Sequence, residues 1–171
     1  MKFFEKDLEE IIYLSDKDKL SDRGLYLGRK LKRQLRIGNY GVADLIEYNR
    51  PYYHPYEKCF MKGTINILEL KKDKIGVSAF FQALNYLKGI QTYLDRKGKE
   101  NDYNYKITLI GNEVDTSSSF CYLGDIFNNA LDEQYMFTTS KISIEIYTYS
   151  YGLEGIEFTQ ITGYNLTNKG F

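Results

Sequence analysis

The sequence contains one histidine, two cysteines, two prolines and no tryptophan among its 171 residues. The lone histidine, His54, excludes zinc sites built from several histidines and disfavours catalysis by a Ser-His or Cys-His pair. Two cysteines, Cys59 and Cys121, are too few for a disulfide framework, so we expect a cytoplasmic protein. No apolar run approaches the roughly 20 residues of a membrane span, and Met1–Glu10 is too charged for a secretory signal. We therefore expect no membrane association.

The composition is that of a folded domain. Hydrophobic residues make up 43% of the chain and charged residues 27%, which predicts a soluble, globular protein. A chain of this length buries roughly 70% of the surface that it exposes when unfolded, which is enough for a substantial core. We expect one domain over residues 1–171.

The net charge of zero conceals an uneven distribution. Residues 1–100 hold 20 Lys and Arg against 14 Asp and Glu, a balance of +6, and residues 101–171 hold 3 against 9, a balance of −6. The segment 23–36 has six basic residues and no acidic one: Arg23, Arg29, Lys30, Lys32, Arg33 and Arg36. This basic strip is either an ordinary solvated face or a set of phosphate contacts. If 32–36 is a strand, Arg33 and Arg36 point to opposite faces.

Hydrophobic periodicity predicts the order of helices and strands. Helices are expected over Phe4–Leu14, Val77–Leu94 and Leu123–Leu131. Strands are expected over Gln34–Ile37, Gly41–Tyr48, Thr64–Lys71, Tyr105–Ile110, a segment around Ile142–Tyr147, and Gly155–Ile161. Ser15–Arg23 is a polar stretch, and Arg50–Gly63 is an aromatic loop or a hairpin tip. The order α-β-β-β-α-β-α-β-β predicts an α/β fold with helices packed on a mixed sheet.

Three ionisable residues interrupt two apolar strands. Glu69 and Lys71 are two apart and share a face of their strand, and Asp44 stands inside the preceding one. If the two strands pair, the two carboxylates come together and repel unless a cation lies between them. Oxygen ligands suit Mg²⁺ or Mn²⁺, and a nearby lysine could orient the attacking water, as metal-assisted phosphodiester hydrolysis requires. The alternative is a surface ion pair of little consequence.

The helices offer further polar side chains to this site. Gln82 and Tyr86 are four apart on one face of the long helix, which begins shortly after Lys71. On the first helix, Glu5 lies within about 20° of Ile12 and borders the apolar stripe. We therefore expect Glu5 to face the protein body, and Glu9 and Glu10 to rotate outward.

In order along the chain, these motifs resemble the PD-(D/E)XK nuclease superfamily, particularly its RecB-like and NucS-like endonuclease branches. The resemblance covers roughly Phe3 to Ile110. It rests on four motifs: Glu5-x-x-Leu8-x-x-Ile11-Ile12, Tyr40-Gly41-Val42-Ala43-Asp44, Glu69-Leu70-Lys71 and Gln82-x-x-x-Tyr86. It implies a restriction-endonuclease-like α-β-β-β-α-β core over about 3–110, with a C-terminal α-β-β extension over about 111–171.

The resemblance also implies roles for individual residues. Asp44, Glu69 and the backbone carbonyl of Leu70 would bind Mg²⁺ or Mn²⁺, and Lys71 would position the water. Gln82 and Tyr86 would support the catalytic site or contact the DNA, and Glu5 would be an auxiliary acid. The 25-residue gap between Asp44 and Glu69 is longer than usual and contains the aromatic loop, which is either a substrate clamp or an insertion.

The leading hypothesis is a metal-dependent DNA endonuclease, with Arg33 and Arg36 among the phosphate contacts. One alternative is a nucleic-acid-binding protein on the same fold that has lost catalysis, although Asp44, Glu69 and Lys71 are all present. Another is a protein-interaction module that uses the acidic C-terminal region. That region is also where we expect the contact surface of a homodimer or of a protein partner.

Overall fold

The computed structural model describes residues 4–28, 30–116 and 142–161. The α-helices there are α1 (Glu5–Leu14), α2 (Lys17–Asp22) and α3 (Val77–Asp95). The strands there are β1 (Leu31–Arg36), β2 (Val42–Asn49), β3 (Tyr52–His54), β4 (Cys59–Met61), β5 (Gly63–Leu70), β6 (Lys74–Ile75), β7 (Tyr103–Gly111), β8 (Glu113–Val114), β9 (Ile142–Gly152) and β10 (Gly155–Ile161). Two 3-10 turns cover Gly38–Tyr40 and Glu100–Asp102. The predicted helix Leu123–Leu131 lies outside the described residues.

A mixed sheet of six strands forms the centre of the protein, in the order β1-β2-β5-β7-β9-β10. Strands β1, β2 and β5 pair antiparallel, β7 is parallel to β5, and β9 is parallel to β7. Strand β10 lies at the edge of the sheet and pairs antiparallel with β9. The predicted α/β class, with helices flanking a mixed sheet, is confirmed.

Hydrophobic side chains cover both faces of the sheet. On one face, Leu8 and Ile12 of α1 pack with Leu68 of β5. On the other, Leu87 of α3 packs with Ile67 of β5. Because β5 is central and covered on both faces, nearly all of its residues are buried, including the polar Asn66 and Glu69.

Most predicted elements agree with the structure, and one helix was missed. The predictions of α1, α3, β9 and β10 are confirmed to within a few residues. The stretch predicted only as polar contains α2, whose first turn is capped by Asp16. The Asp16 carboxylate accepts hydrogen bonds from the N–H groups of Asp18 and Lys19, at 2.9 and 3.3 Å. A six-residue helix is too short to show a clear hydrophobic periodicity. Asp16, a residue type that often caps helices, was the available sequence signal.

A buried polar chain crosses the sheet from β2 to β7. The Glu47 carboxylate accepts hydrogen bonds from the Gly28 N–H at 2.7 Å and from the Asn66 amide at 3.0 Å. The Asn66 carbonyl oxygen accepts from the Thr108 hydroxyl at 2.9 Å. Glu47, Asn66 and Thr108 are all buried, so these bonds compensate for the loss of water.

The chain before β1 is tied to the C-terminal hairpin β9–β10. Arg23, the first residue of the basic strip, donates to the carbonyl oxygens of Ile156 and Glu154, at 3.0 and 2.6 Å. Its guanidinium therefore has a structural role. Within the described ranges, no helix combines the length and the apolar character that crossing a membrane requires.

Candidate active site

The two strand acids lie where β2 and β5 separate. Leu45 and Leu68 form the last pair of the antiparallel ladder, so Asp44 and Glu69 occupy the next opposed positions. Beyond that pair, a side-chain hydrogen bond links the two strands: the Asp44 carboxylate accepts from the Leu70 N–H at 3.1 Å. The two acids are thus brought to the same end of the β2–β5 ladder.

The regular alternation of β1 and β2 is interrupted at the position of Asp44. Ala43 belongs to the hydrophobic cluster on the α3 side, but Leu45 belongs to the one on the α1 side, so strand alternation is broken between them. Opposite Asp44, Gln34 of β1 has a φ of 49°, a left-handed conformation that is uncommon outside glycine. The two irregularities share one register position, and at that position the Asp44 carboxylate reaches the Leu70 N–H.

Glu69 is the most deeply placed acid of the site, with only 1% of its surface exposed. Its Oε1 accepts a hydrogen bond from Lys71 Nζ at 2.6 Å. Its Oε2 is buried and has no hydrogen-bond partner among the described residues. An unpartnered, buried carboxylate oxygen is costly unless a proton or a cation neutralises it.

Lys71 connects this acid to α3. Its Nζ also lies 3.4 Å from Gln82 Oε1, and Gln82 Nε2 donates to the Tyr86 hydroxyl at 2.9 Å. Tyr86 packs against Gly41, where a Cβ would stand 2.8 Å from the tyrosine ring and where φ is 118°. Glycine is therefore required at position 41 for α3 to approach β2.

The electrostatics are those of a half-buried cluster with excess negative charge. Burial raises the pKa of Glu69 to about 7, and the nearby charge of Asp44 acts in the same direction. Burial also raises the pKa of Asp44, which the Leu70 N–H opposes. Burial lowers the pKa of Lys71, but the hydrogen bond to Glu69 and the surrounding carboxylates outweigh it and raise that pKa overall. The pKa values of Asp44, Glu69 and Lys71 are all raised, which indicates that the cluster favours added positive charge.

Two acids of α1, Glu5 and Glu9, face the protein body, although only Glu5 was expected to. Glu5 is half-buried, and its carboxylate accepts a hydrogen bond from the Lys72 N–H at 3.3 Å, beside the site. The prediction that Glu9 rotates outward is wrong, since Glu9 is 5% exposed and binds both Arg33 and Gln34 of β1. Glu9 is one turn after Glu5 and one turn before Ile12, so it borders the same stripe. That spacing permits burial but does not require it, because the partners that bury Glu9 lie on β1.

The basic strip is divided by these contacts. The Arg33 guanidinium is paired with Glu9 and lies over the Tyr13 ring, 5.9 Å from its centroid. Arg36 and Lys32 are exposed and line a cavity beside α3. Lys30 is exposed as well, and Arg29 lies outside the described residues. Of the two predicted phosphate contacts, Arg36 is the more accessible.

The donor set fits a small, hard cation. Among the described residues there is no group of three or more His, Cys, Asp and Glu side chains arranged to hold a metal. The metal ligands predicted from the sequence are fewer than that: the carboxylates of Asp44 and Glu69 and the backbone carbonyl of Leu70. Mg²⁺ is usually held by one or two carboxylates and completes its shell with water and phosphate oxygens. The unpartnered Glu69 Oε2 is an available donor for it.

The long gap between Asp44 and Glu69 forms a hairpin at the other end of the strands. β3 and β4 pair with each other and leave the sheet between Asn49 and Gly63. Five residues of extended strand separate Asn49 from Asp44, about 17 Å. The aromatic loop therefore lies at the far end of these strands from the two acids.

A scan against models of known protein families found no match to this chain, and neither did searches of the curated proteins and of the solved structures. A fold alone does not define an activity, so the function follows from the chemistry of the site. That chemistry combines two carboxylates, a lysine held between an acid and an amide, and a buried oxygen without a partner.

Proposed function

We propose that the chain is a metal-dependent nuclease that hydrolyses phosphodiester bonds of DNA. The observation that carries this proposal is the buried Glu69 Oε2, which has no partner among the described residues and stands at the strand end that also holds Asp44 and Lys71. A purely structural Glu69–Lys71 pair gains nothing from burying a second, unsatisfied oxygen. A site that receives a cation with its substrate accounts for it.

The restriction-endonuclease-like core is part of the proposal. Strands β1, β2 and β5 form an antiparallel meander, α3 follows, and β7 returns parallel to β5. With α1 before them, these elements have the expected α-β-β-β-α-β order. The candidate residues lie on β2, on β5, just after β5 and on α3, where the resemblance to PD-(D/E)XK nucleases expects them.

Each residue then has a distinct task. Asp44, Glu69 and the Leu70 carbonyl would hold Mg²⁺ or Mn²⁺, which supplies Lewis-acid stabilisation of the negative charge that develops on the phosphate. Lys71 would position the attacking water through its Nζ, which the Glu69 carboxylate and the Gln82 side chain hold at the strand end. Gln82 fixes the position of the Lys71 ammonium group, and Tyr86 fixes Gln82.

The test is cleavage of labelled DNA with Mg²⁺, with Mn²⁺ and with EDTA. We expect cleavage in either metal and none in EDTA. Asp44→Asn should abolish cleavage while sparing the fold and DNA binding, because it removes one of two charged ligands but keeps an acceptor for the Leu70 N–H. Glu113→Gln is the matched control, since Glu113 is an exposed acid whose ion pair within the described ranges is with Lys74 at 3.8 Å.

Three results would separate the alternatives. Cleavage by Asp44→Asn at the wild-type rate, with contamination excluded, would refute the assignment of the site. DNA binding that depends on salt but is never followed by cleavage would favour a catalytically silent binding protein. The absence of both binding and cleavage would favour a protein-interaction module.

A further inference from the structure

A concave surface lies beside the candidate active site, between the end of β1, the 3-10 turn and the C-terminal half of α3. The cavity has a volume of about 500 Å³, within the range of small-molecule pockets. Its walls combine apolar side chains, two tyrosine rings and three cations. The cations are Lys32, Arg36 and Arg96, and the rings are those of Tyr40 and Tyr93.

The cavity and the active site lie along one face of α3. Gln82, Tyr86 and Tyr93 are spaced by four and then seven residues, which places them on the same side of a helix. Eleven residues at 1.5 Å each put Tyr93 about 16 Å from Gln82 along the axis. The 3-10 turn is fastened to this face, because the Asn85 amide donates to the Tyr40 carbonyl oxygen at 2.8 Å.

The charge of the cavity suits an anion. No carboxylate lines it among the described residues. Arg36 and Arg96 are exposed, and neither forms an ion pair with a described residue. Lys97 adds a further cation at the rim, with its Nζ 6.0 Å from the centre of the Tyr93 ring.

The apolar wall distinguishes this cavity from a simple phosphate-binding surface. A continuous duplex presents its phosphates outward and keeps its bases stacked, so contacts with its backbone need exposed cations but no apolar concavity. An unpaired base exposes a flat face that stacks on aromatic side chains. Tyr93 is 62% exposed, so part of its ring is accessible to a base although Lys97 Nζ lies over the ring.

We propose that this cavity binds one unpaired nucleotide of the substrate strand, with the base against Tyr93 and Tyr40 and the phosphate beside Arg36 and Arg96. The inference rests on the proposed nuclease function and defines its substrate class. The preferred DNA has a single-stranded segment that reaches from the candidate active site to the cavity. Gln82 and Tyr93 are about 16 Å apart along α3, which is the length of about five stacked nucleotides.

The test measures equilibrium binding in EDTA, so that it does not depend on catalysis. The probes are a labelled oligothymidylate of about twelve nucleotides and a blunt duplex of the same length. Tyr93→Leu and Arg96→Ala remove a ring and a cation from the cavity. Phe81→Leu and Lys88→Ala make matched changes at exposed positions of α3 that do not line it. Melting curves show that each variant is folded.

We expect the wild type to bind the single strand more tightly than the duplex. Tyr93→Leu should weaken single-strand binding roughly tenfold or more and leave duplex binding nearly unchanged. Arg96→Ala should lower the salt slope for the single strand by roughly 0.7. The two controls should bind both probes as the wild type does.

Failure of this inference is distinguishable from failure of the proposed function. If Tyr93→Leu and Arg96→Ala bind the single strand as the controls do, the cavity does not hold the nucleotide, whether or not the wild type cleaves DNA with Mg²⁺. If the binding losses appear but no metal supports cleavage, the cavity is a nucleotide site and the nuclease assignment is wrong. Tighter binding of the duplex than of the single strand would also overturn the inference.

Discussion

Replacing Glu69 by glutamine isolates the energetic consequence of burying its carboxylate. Burial raises the Glu69 pKa to about 7 from an ordinary value of 4.5, and the attraction of Lys71 is already contained in that value. A shift of this size corresponds to roughly 3 kcal/mol at a pH above both values. Glutamine keeps the shape and an acceptor for Lys71 but carries no charge.

The sign follows from which state binds the proton more tightly. Because the pKa is higher in the folded protein, the contribution of Glu69 to stability is fully present below about pH 4.5. It is lost as the pH rises through about 7. At pH 8 in EDTA we therefore expect Glu69→Gln to be more stable than the wild type by about 2–3 kcal/mol. At pH 5 the difference should largely disappear.

Guanidinium unfolding at the two pH values measures this difference directly. The control is Glu113→Gln, which removes an exposed carboxylate and should change little at either pH. Mg²⁺ at about a hundred times its dissociation constant should stabilise the wild type by about 2.7 kcal/mol and the Glu69→Gln protein far less. A variant that is less stable than the wild type at both pH values would refute the reasoning, because Lys71 would then more than offset the burial.

Two further predictions follow from the packing around the site. Gly41→Ala should cost about 1–3 kcal/mol of stability, seen as a lower melting temperature, since φ is 118° and the new Cβ would meet Tyr86; an unchanged melting temperature would contradict this. In duplex binding, Arg36→Ala should lower the salt slope by roughly 0.9, whereas Arg33→Ala should chiefly lower stability, because it leaves the buried Glu9 without its cation. A lower salt slope for Arg33→Ala, with none for Arg36→Ala, would show that DNA approaches on the α1 side.

The sequence by itself determined the local elements and the identity of the candidate site. The helical spacing of apolar residues marked α1 and α3, and the one-sided alternation from Ile142 marked β9. These patterns are local, because a helix or strand must repeat its buried positions at its own period. Asp44, Glu69 and Lys71 were likewise readable as ionisable residues within or next to apolar strands.

Only the tertiary structure decided which surfaces meet. Whether Glu9 is buried depends on Arg33 and Gln34, which lie on a strand well separated from it in sequence, and periodicity along α1 cannot specify that partner. The irregularity opposite Asp44 lies at Gln34, which has a positive φ. Positive φ is usually predicted from glycine, so nothing in the sequence indicated it at this position. The cavity beside α3 is shared by β1, a turn and a helix, so its shape exists only once long-range contacts have brought these elements together.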